Sequence, residues 1–267
     1  MLQQTAESRP GKETLLVAGN GMVGQYFVDA ALAAGLGDRY EIIVVGEEPR
    51  RAYDRVRLSE YFTGRTAEDL SLVPADWFGM RGVTAHLGRR VAGIDRQRQC
   101  VTLCDTTEIA YDRLVLATGS YPFVPPIDGA DRPGCFVYRT IEDLDAIIAS
   151  ARDGARSGAV LGGGLLGLEA ANALRILGLE THVVQFAPTL MEVQLDAAGG
   201  RMLQGKIEAL GVNVLTERNT KCIRDGEQHR LRLDFADGGS LDTDLLVIST
   251  GIRPRDELAD AAGLDRG

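Results

Sequence analysis

The sequence predicts an α/β fold built from two lobes of one design, each a βαβ unit carrying an antiparallel β insertion. Three observations lead there. The apolar run "TLLVAG" opens through a glycine turn into the helix-like stretch "NGMVGQYFVDAALAAG". Further on, "AVLGGG" opens into "LLGLEAANALRILG" in the same way. Each is followed by a second apolar run ("YEIIVVGEE", "ETHVVQFAP"), a β-rich stretch, and a closing run that ends in Thr-Gly ("RLVLATGS", "LLVISTGIRP"). Continuous apolar runs of this length suit strands covered on both faces of a parallel sheet. The two units run about 100 and about 90 residues, too long for solenoid repeats of roughly 20 to 50.

The remaining elements follow from this frame. The stretches "GVTAHLGRRVAGIDRQRQCVTLCDTTEIAYD" and "GVNVLTERNTKCIRDGEQHRLRLDFADGGSLDTD" are expected to form the two β insertions. The proline-rich "SYPFVPPIDGADRPG" is the expected junction between lobes. The division is therefore 1–122 for the first lobe, 123–250 for the second, and 251–267 for a return toward the first.

The bulk properties exclude several classes. The chain has 267 residues and a net charge of −9, the wrong sign for broad nucleic-acid binding. No apolar run approaches the roughly 18 to 20 residues of a membrane span, and the polar start "MLQQTAESRPGKE" lacks a signal-peptide core. Cys100, Cys104, Cys135 and Cys222 form no CxxC pair and are read as buried or incidental thiols of a reduced, cytoplasmic protein. His86, His182 and His229 belong to no metal or triad constellation and are read as structural.

The two glycine turns carry the chemistry. Gly19, Gly21 and Gly24 form G-x-G-x-x-G directly between a strand and a helix. The first glycine permits the tight turn, the second lets a pyrophosphate approach the backbone, and the third lets helix and strand pack closely. Free N–H groups at the helix start then face the phosphates. Gly162, Gly164 and Gly167 repeat this grammar, with Glu169 on the first helical turn. Both lobes thus read as Rossmann-like and nucleotide-binding. Two sites imply two dinucleotides, and a flavin beside a nicotinamide cofactor is the natural pair. An acid about 20 residues on should take a ribose diol. Glu47 fits in the first lobe and is preferred to Glu48 because it comes first off the strand. The equivalent in the second lobe is Gln185, which can hydrogen-bond a hydroxyl but has no carboxylate to repel a 2′-phosphate; no arginine follows at once to bind such a phosphate, so NADH and NADPH both stay open, with NADH the favoured reading. Between the lobes' first acids and the insertion lies an arginine cluster. Arg55 suits a diphosphate through its guanidinium fork, while Arg50, Arg51 and Arg57 are read as solvated charges.

Taken together, "GNGMVG", "EEPRRAYDRVRLSEYF", "LATGSYPFVPPI", "CFVYRTIEDLDAI", "GGGLLGLEAANALRILGLETHVVQFAPTLM" and "STGIRP" resemble the FAD-dependent pyridine nucleotide oxidoreductases. Within that family the chain is most similar to the N-terminal FAD/NAD(P)H module of the assimilatory NAD(P)H-nitrite reductase large subunit. The resemblance covers nearly the whole chain. It implies a glutathione-reductase-like fold and a module passing hydride from NAD(P)H to FAD, the electron-input part of an enzyme reducing nitrite to ammonium. By position it assigns Gly19, Gly21 and Gly24 to the FAD pyrophosphate, Glu47 to the adenosine ribose and Arg55 to the phosphates. Val91 would meet the adenine through its backbone. Thr118, Gly119 and Arg139 would lie near FAD. Gly162, Gly164, Gly167 and Glu169 would form the NAD(P)H site, with Glu169 orienting the nicotinamide amide, and Gly251 would let the returning strand approach the cofactors. No catalytic residue and no metal ligand are assigned.

Departures from the family pattern shape the expectation. Relatives that serve rubredoxin or small ferredoxins carry a lysine after "LS", where this chain has Glu60, an acid that would disfavour an anionic reduced flavin unless turned to solvent. No redox cysteine pair is present for disulfide reduction. The chain ends before the family's further strand and flavin-binding aspartate, so the resemblance implies a C-terminally truncated lobe. Iron–sulfur and sirohaem centres would belong only to a full-length parent, as downstream domains, or their place would be taken by a small electron-transfer protein. Two other readings remain: a stand-alone rubredoxin- or ferredoxin-type reductase, and a non-catalytic truncated nucleotide-binding protein.

Overall fold

A computed structural model describes residues 11–265. These divide into two compact units, one of residues 11–55, 68–120 and 254–265, the other of 56–67 and 121–253.

In the first unit, strand β1 (Glu13–Ala18) leads through the first glycine turn into helix α1 (Met22–Ala33) and the short α2 (Leu36–Arg39), then β2 (Tyr40–Gly46). The chain then passes through a 3₁₀ segment (Arg55–Thr63) that belongs almost wholly to the second unit, and returns as α3 (Trp77–Arg81) and β3 (Thr84–Leu87). The antiparallel strands β4 (Val91–Asp95), β5 (Cys100–Leu103) and β6 (Glu108–Ala110) follow, and β7 (Arg113–Leu116) closes the unit. The parallel sheet runs β3-β2-β1-β7. Its two faces feed separate cores. Leu15, Val17, Ile42 and Val44 pack with Val28 of α1 and Trp77 of α3, whereas Leu16, Ala18, Ile43 and Val45 pack with Val91, Val101, Leu103 and Ile109 of the antiparallel strands. Covering both faces explains why β1 and β2 are apolar throughout instead of alternating.

The second unit begins with β8 (Ser120–Pro122) and β9 (Cys135–Val137), then α4 (Ile141–Arg152). A capping box starts α4: Thr140 Oγ1 accepts from Asp143 N, and Asp143 Oδ2 accepts from Thr140 N. Next come β10 (Ser157–Leu161), α5 (Leu165–Ile176), β11 (Glu180–Val184), α6 (Ala197–Ala209) and β12 (Val212–Leu215). Strands β13 (Thr220–Asp225), β14 (Leu231–Phe235) and β15 (Ser240–Thr243) form the antiparallel insertion before β16 (Leu245–Ile248) and β17 (Ile252–Pro254). The parallel sheet runs β12-β11-β10-β16-β9. Ile223, Leu231, Leu233 and Phe235 of the insertion cover one face of it, against Ala159, Leu161, Val184, Leu246 and Ile248. Helix α7 (Glu257–Ala261) belongs to the first unit, where its Leu258 packs on the second of that unit's cores.

The two-lobed α/β expectation holds, with corrections of detail. "GVTAHL" and "GVNVL", expected inside the insertions, supply β3 and β12, the outer strands of the two parallel sheets. Four-residue apolar runs carry too little periodicity to separate a parallel edge strand from a hairpin strand. Helix α6 was not expected, because Gly199, Gly200 and Gly205 lower its propensity. Asp196 starts it regardless, its side chain accepting from Gly199 N at 2.7 Å.

Candidate functional site

The first glycine turn is a backbone cradle. Gly19 leaves β1 with φ +121, and a Cβ there would lie 2.1 Å from Ala117 O. A Cβ on Gly24 would lie 2.0 Å from Gly19 O, so both positions are closed to larger residues. Gly21 differs: it is the N-cap of α1, extended, and a Cβ on it would meet nothing within 4 Å. The second unit repeats the pattern. Gly162 has φ +116 and its Cβ would sit 2.3 Å from Ser249 O, Gly167 would meet Gly162 O at 2.0 Å, and Gly164, N-cap of α5, faces open space. Neither helix start has a capping side chain or an acid in its first turn. Closed first and third glycines beside an open second one leave a smooth backbone wall before the N–H groups of a helix, which fits a pyrophosphate in each unit.

The two acids after β2 have different neighbours. Glu48 is half-buried and engaged, accepting from Tyr53 Oη at 2.7 Å and pairing with Arg55. The Arg55 guanidinium also lies 5.0 Å from the Tyr53 ring centroid. Glu47 is half-exposed and is met by Arg255 Nη1 at 2.6 Å and Arg90 Nε at 3.9 Å. Glu47 is thus the carboxylate at the surface of this strand end, while Arg55 is the charge partner of Glu48. The backbone beneath is tied as well: Thr118 Oγ1 donates to Arg255 O at 2.7 Å and Arg255 N donates to Gly119 O at 2.9 Å. Val91, the buried first residue of β4, pairs with Leu103 just before a bulge. Arg255 and Arg90 went unread in the sequence. Arg90 stood in a charged stretch without a motif, and Arg255 lay beyond the last recognisable turn.

The other arginines of the cluster are not simply solvated, which corrects the expectation for Arg51 and Arg57. The Arg51 side chain is 16% exposed, donating to Val73 O at 2.7 Å and pairing with Glu68. Arg57 grips Glu60 through Nε at 2.8 Å and Nη2 at 2.7 Å, with Arg65 at 3.8 Å. The bidentate hydrogen bonds from Arg57, more than its charge or that of Arg65, hold the Glu60 carboxyl below the ordinary range. Glu60 therefore carries its negative charge inside an arginine clasp rather than as an isolated acid.

In the second unit, Gln185 follows β11 directly, but its amide is turned inward. Oε1 accepts from Gly163 N at 2.8 Å, Nε2 donates to Thr189 O at 3.3 Å, and the residue is 8% exposed. It braces the glycine turn instead of presenting a free amide at the strand end. Glu169 lies one turn into α5, not on its first turn as the sequence suggested; it is half-buried there, and burial raises its carboxyl. Tyr138 is buried, with a hydroxyl that has no hydrogen-bond partner among the described residues and is raised by burial and then by the charge of Glu169. Phe62 stacks on its ring at 6.0 Å. The backbone N–H of the adjacent Arg139 donates to Asp143 Oδ2 at 3.0 Å, within the start of α4. Gly251 has φ +116 with open space around a notional Cβ, and its carbonyl accepts from Phe123 N at 2.9 Å.

A family model for pyridine nucleotide-disulphide oxidoreductases matches residues 13–267. The chain belongs to this family. Family membership implies an NAD(P)H oxidoreductase with FAD as its second cofactor, and the two cradles suit that pair. The large subunit of NAD(P)H nitrite reductase from Klebsiella oxytoca is 55% identical over 96% of this chain and 26% of its own length. The NADH nitrite reductase large subunit of Escherichia coli (strain K12) is 51% identical over 95% of this chain and 30% of its own. Less than a third of either relative is therefore spanned. Among solved structures, a NAD-dependent persulfide reductase from A. fulgidus matches with a TM-score of 0.87 at 28% identity, over 95% of this chain and 49% of that one. The disulphide chemistry in the family name has no paired thiols here: all four cysteines are free, and burial pushes Cys135 up to about 11. Among the described residues no helix is long and apolar enough to cross a membrane.

Proposed function

We propose that this chain is the electron-input module of a nitrite reductase large subunit, with FAD in the first unit and NAD(P)H in the second. The observation that carries the reading is the pair of glycine cradles with one geometry and unequal surroundings. Only the first has an outward carboxylate, Glu47, at the strand end. When both cofactors are bound, the nicotinamide supplies a hydride and the flavin accepts it.

The residues of the chain bind and orient. Gly19, Gly21 and Gly24 present backbone to the FAD pyrophosphate, and Glu47 takes the adenosine ribose. Val91 meets the adenine through its backbone, and Thr118 and Gly119 line the path of the flavin. Arg55 stays on Glu48 or turns to the phosphates, and Arg139 stands near FAD. Gly162, Gly164 and Gly167 present backbone to the second pyrophosphate, braced by Gln185, and Gly251 leaves room at the closing turn. Glu169 orients the nicotinamide amide. No side chain is required as an acid or base, because orientation and a preformed electrostatic environment suffice for direct transfer.

The electrons would leave one at a time for an iron–sulfur centre and sirohaem in downstream domains, or for a small electron-transfer protein. The four free thiols suit a reducing, cytoplasmic setting. The test is spectroscopic. Purified chain mixed with FAD should turn yellow, bleach under anaerobic NADH, and leave nitrite unconsumed. A chain that stays colourless with excess FAD would refute the oxidoreductase reading.

A further inference from the structure

The strand end that follows β11 decides which nicotinamide dinucleotide the second unit prefers. We propose that this site accepts a 2′-phosphorylated dinucleotide, NADPH, at least as well as NADH, and that Arg218 is the residue that meets the 2′-phosphate. The proposal rests on the reading of the second unit as the NAD(P)H site.

Two observations combine. The residue standing where a diol-binding carboxylate would be is Gln185, and its amide is committed to Gly163 N and Thr189 O. A ribose diol therefore finds no charged acceptor at position 185, and Gln185 itself does not repel a phosphate. Arg218 is held against the same strand end: its backbone N–H donates to Gln185 O at 3.0 Å. Its guanidinium rests on Asp237 at 2.5 Å, with the two side chains 38% and 49% exposed. An exposed pair of this kind contributes little to stability, so exchanging a carboxylate for a phosphate costs the fold little. A guanidinium also suits phosphate oxygens through its bidentate fork. Two acids compete for the guanidinium: Asp237, its present partner, and Glu217, an exposed residue of the turn whose backbone N–H donates to Ala187 O at 3.1 Å. Both are open to solvent, which screens their charge.

Calorimetric titration with 2′,5′-ADP and with 5′-AMP, in saturating FAD so that the adenosine site of the first unit is filled, tests this. In the wild-type chain 2′,5′-ADP should bind at least as tightly as 5′-AMP. In Arg218→Ala the preference for 2′,5′-ADP should fall about tenfold, the size of one lost charge-assisted contact, and Arg218→Lys should restore part of it. Gln185→Glu should also turn the preference toward 5′-AMP. Binding of 5′-AMP reports that each variant is folded. A wild-type chain that favours 5′-AMP by about tenfold or more, or an Arg218→Ala preference equal to wild type, overturns the proposal. Failure of both adenylates to bind the wild-type chain removes the dinucleotide reading of this unit, and the proposal with it. Flavin uptake by the first unit is unaffected by that result and is scored separately.

Discussion

Arg255 donates from Nη1 to Oε2 of Glu47 at 2.6 Å, across 208 positions of sequence. Both side chains are partly exposed, so the pair is worth about 0–1 kcal/mol to the fold. Its consequence is orientation: with Arg90 on the other oxygen, the carboxylate is held at the end of β2. Glu47→Gln should weaken FAD binding about tenfold or more, the loss expected for a charged hydrogen-bond acceptor. Arg255→Ala should weaken it less. Both variants should melt within about 2 °C of wild type. Fluorescence titration of FAD reads the affinities, and an unchanged value in Glu47→Gln would move the ribose contact to another residue.

Two alanine substitutions in one turn should fail in different ways. Gly19→Ala places a methyl 2.1 Å from Ala117 O at a positive φ and should cost about 3 kcal/mol or more of stability. Gly21→Ala meets nothing in the protein and should cost no more than about 1 kcal/mol, yet its methyl would stand in the pyrophosphate path and lower FAD affinity by more than tenfold. Denaturant melts paired with FAD titration separate the two. Equal FAD affinity in wild type and Gly21→Ala would place the phosphates elsewhere.

Burial raises the carboxyl of Glu169 above its ordinary value. A group whose folded pKa is raised favours the folded state most at pH values below its unfolded pKa, and that contribution is lost as pH climbs through the folded one. Glu169→Gln should therefore melt higher than wild type at pH 7 and level with it near pH 4, while binding NADH more weakly. Thermal melts at the two pH values check the sign; a variant less stable at pH 7 would show that the carboxylate is stabilised by partners after all.

Asp244 is the opposite case. Desolvation alone would raise its carboxyl, but the N–H groups of Arg156 at 2.7 Å and Ser157 at 3.0 Å, with His229 Nδ1 at 3.0 Å, leave it lowered. A depressed folded pKa stabilises above the unfolded value and loses that contribution as pH falls through the folded one. Asp244→Ala should cost about 1–3 kcal/mol at pH 7, since two backbone donors lose their partner. The cost should shrink as pH falls below the ordinary carboxylate range and through the lowered folded value of Asp244. A cost that stays constant down to pH 2 would count against the carboxylate as its origin.

Much of this was legible in the primary sequence. The two glycine turns, the paired apolar strands and the closing Thr-Gly elements are local features, since each is set by spacing within a few residues. Glu47 was preferred to Glu48 for its position off the strand, and the structure shows Glu48 engaged with Tyr53 and Arg55. The outer strands β3 and β12 were hidden because four residues fit a parallel edge and a hairpin equally well. Arg51 was misjudged for a related reason: its partners Glu68 and Val73 lie about 20 residues downstream with no motif to mark them.

What the amino-acid sequence determined by itself is therefore the α/β class, the duplication and the two backbone cradles, because glycine spacing and apolar periodicity act through short-range sterics and burial. What only the tertiary structure decided is the use of the polar side chains around them. It set Arg255 on Glu47, Arg51 on Glu68, and turned Gln185 inward to Gly163. Hydrogen bonds and ion pairs depend on distance in space, and the parallel sheets bring together residues that the chain keeps tens to hundreds of positions apart.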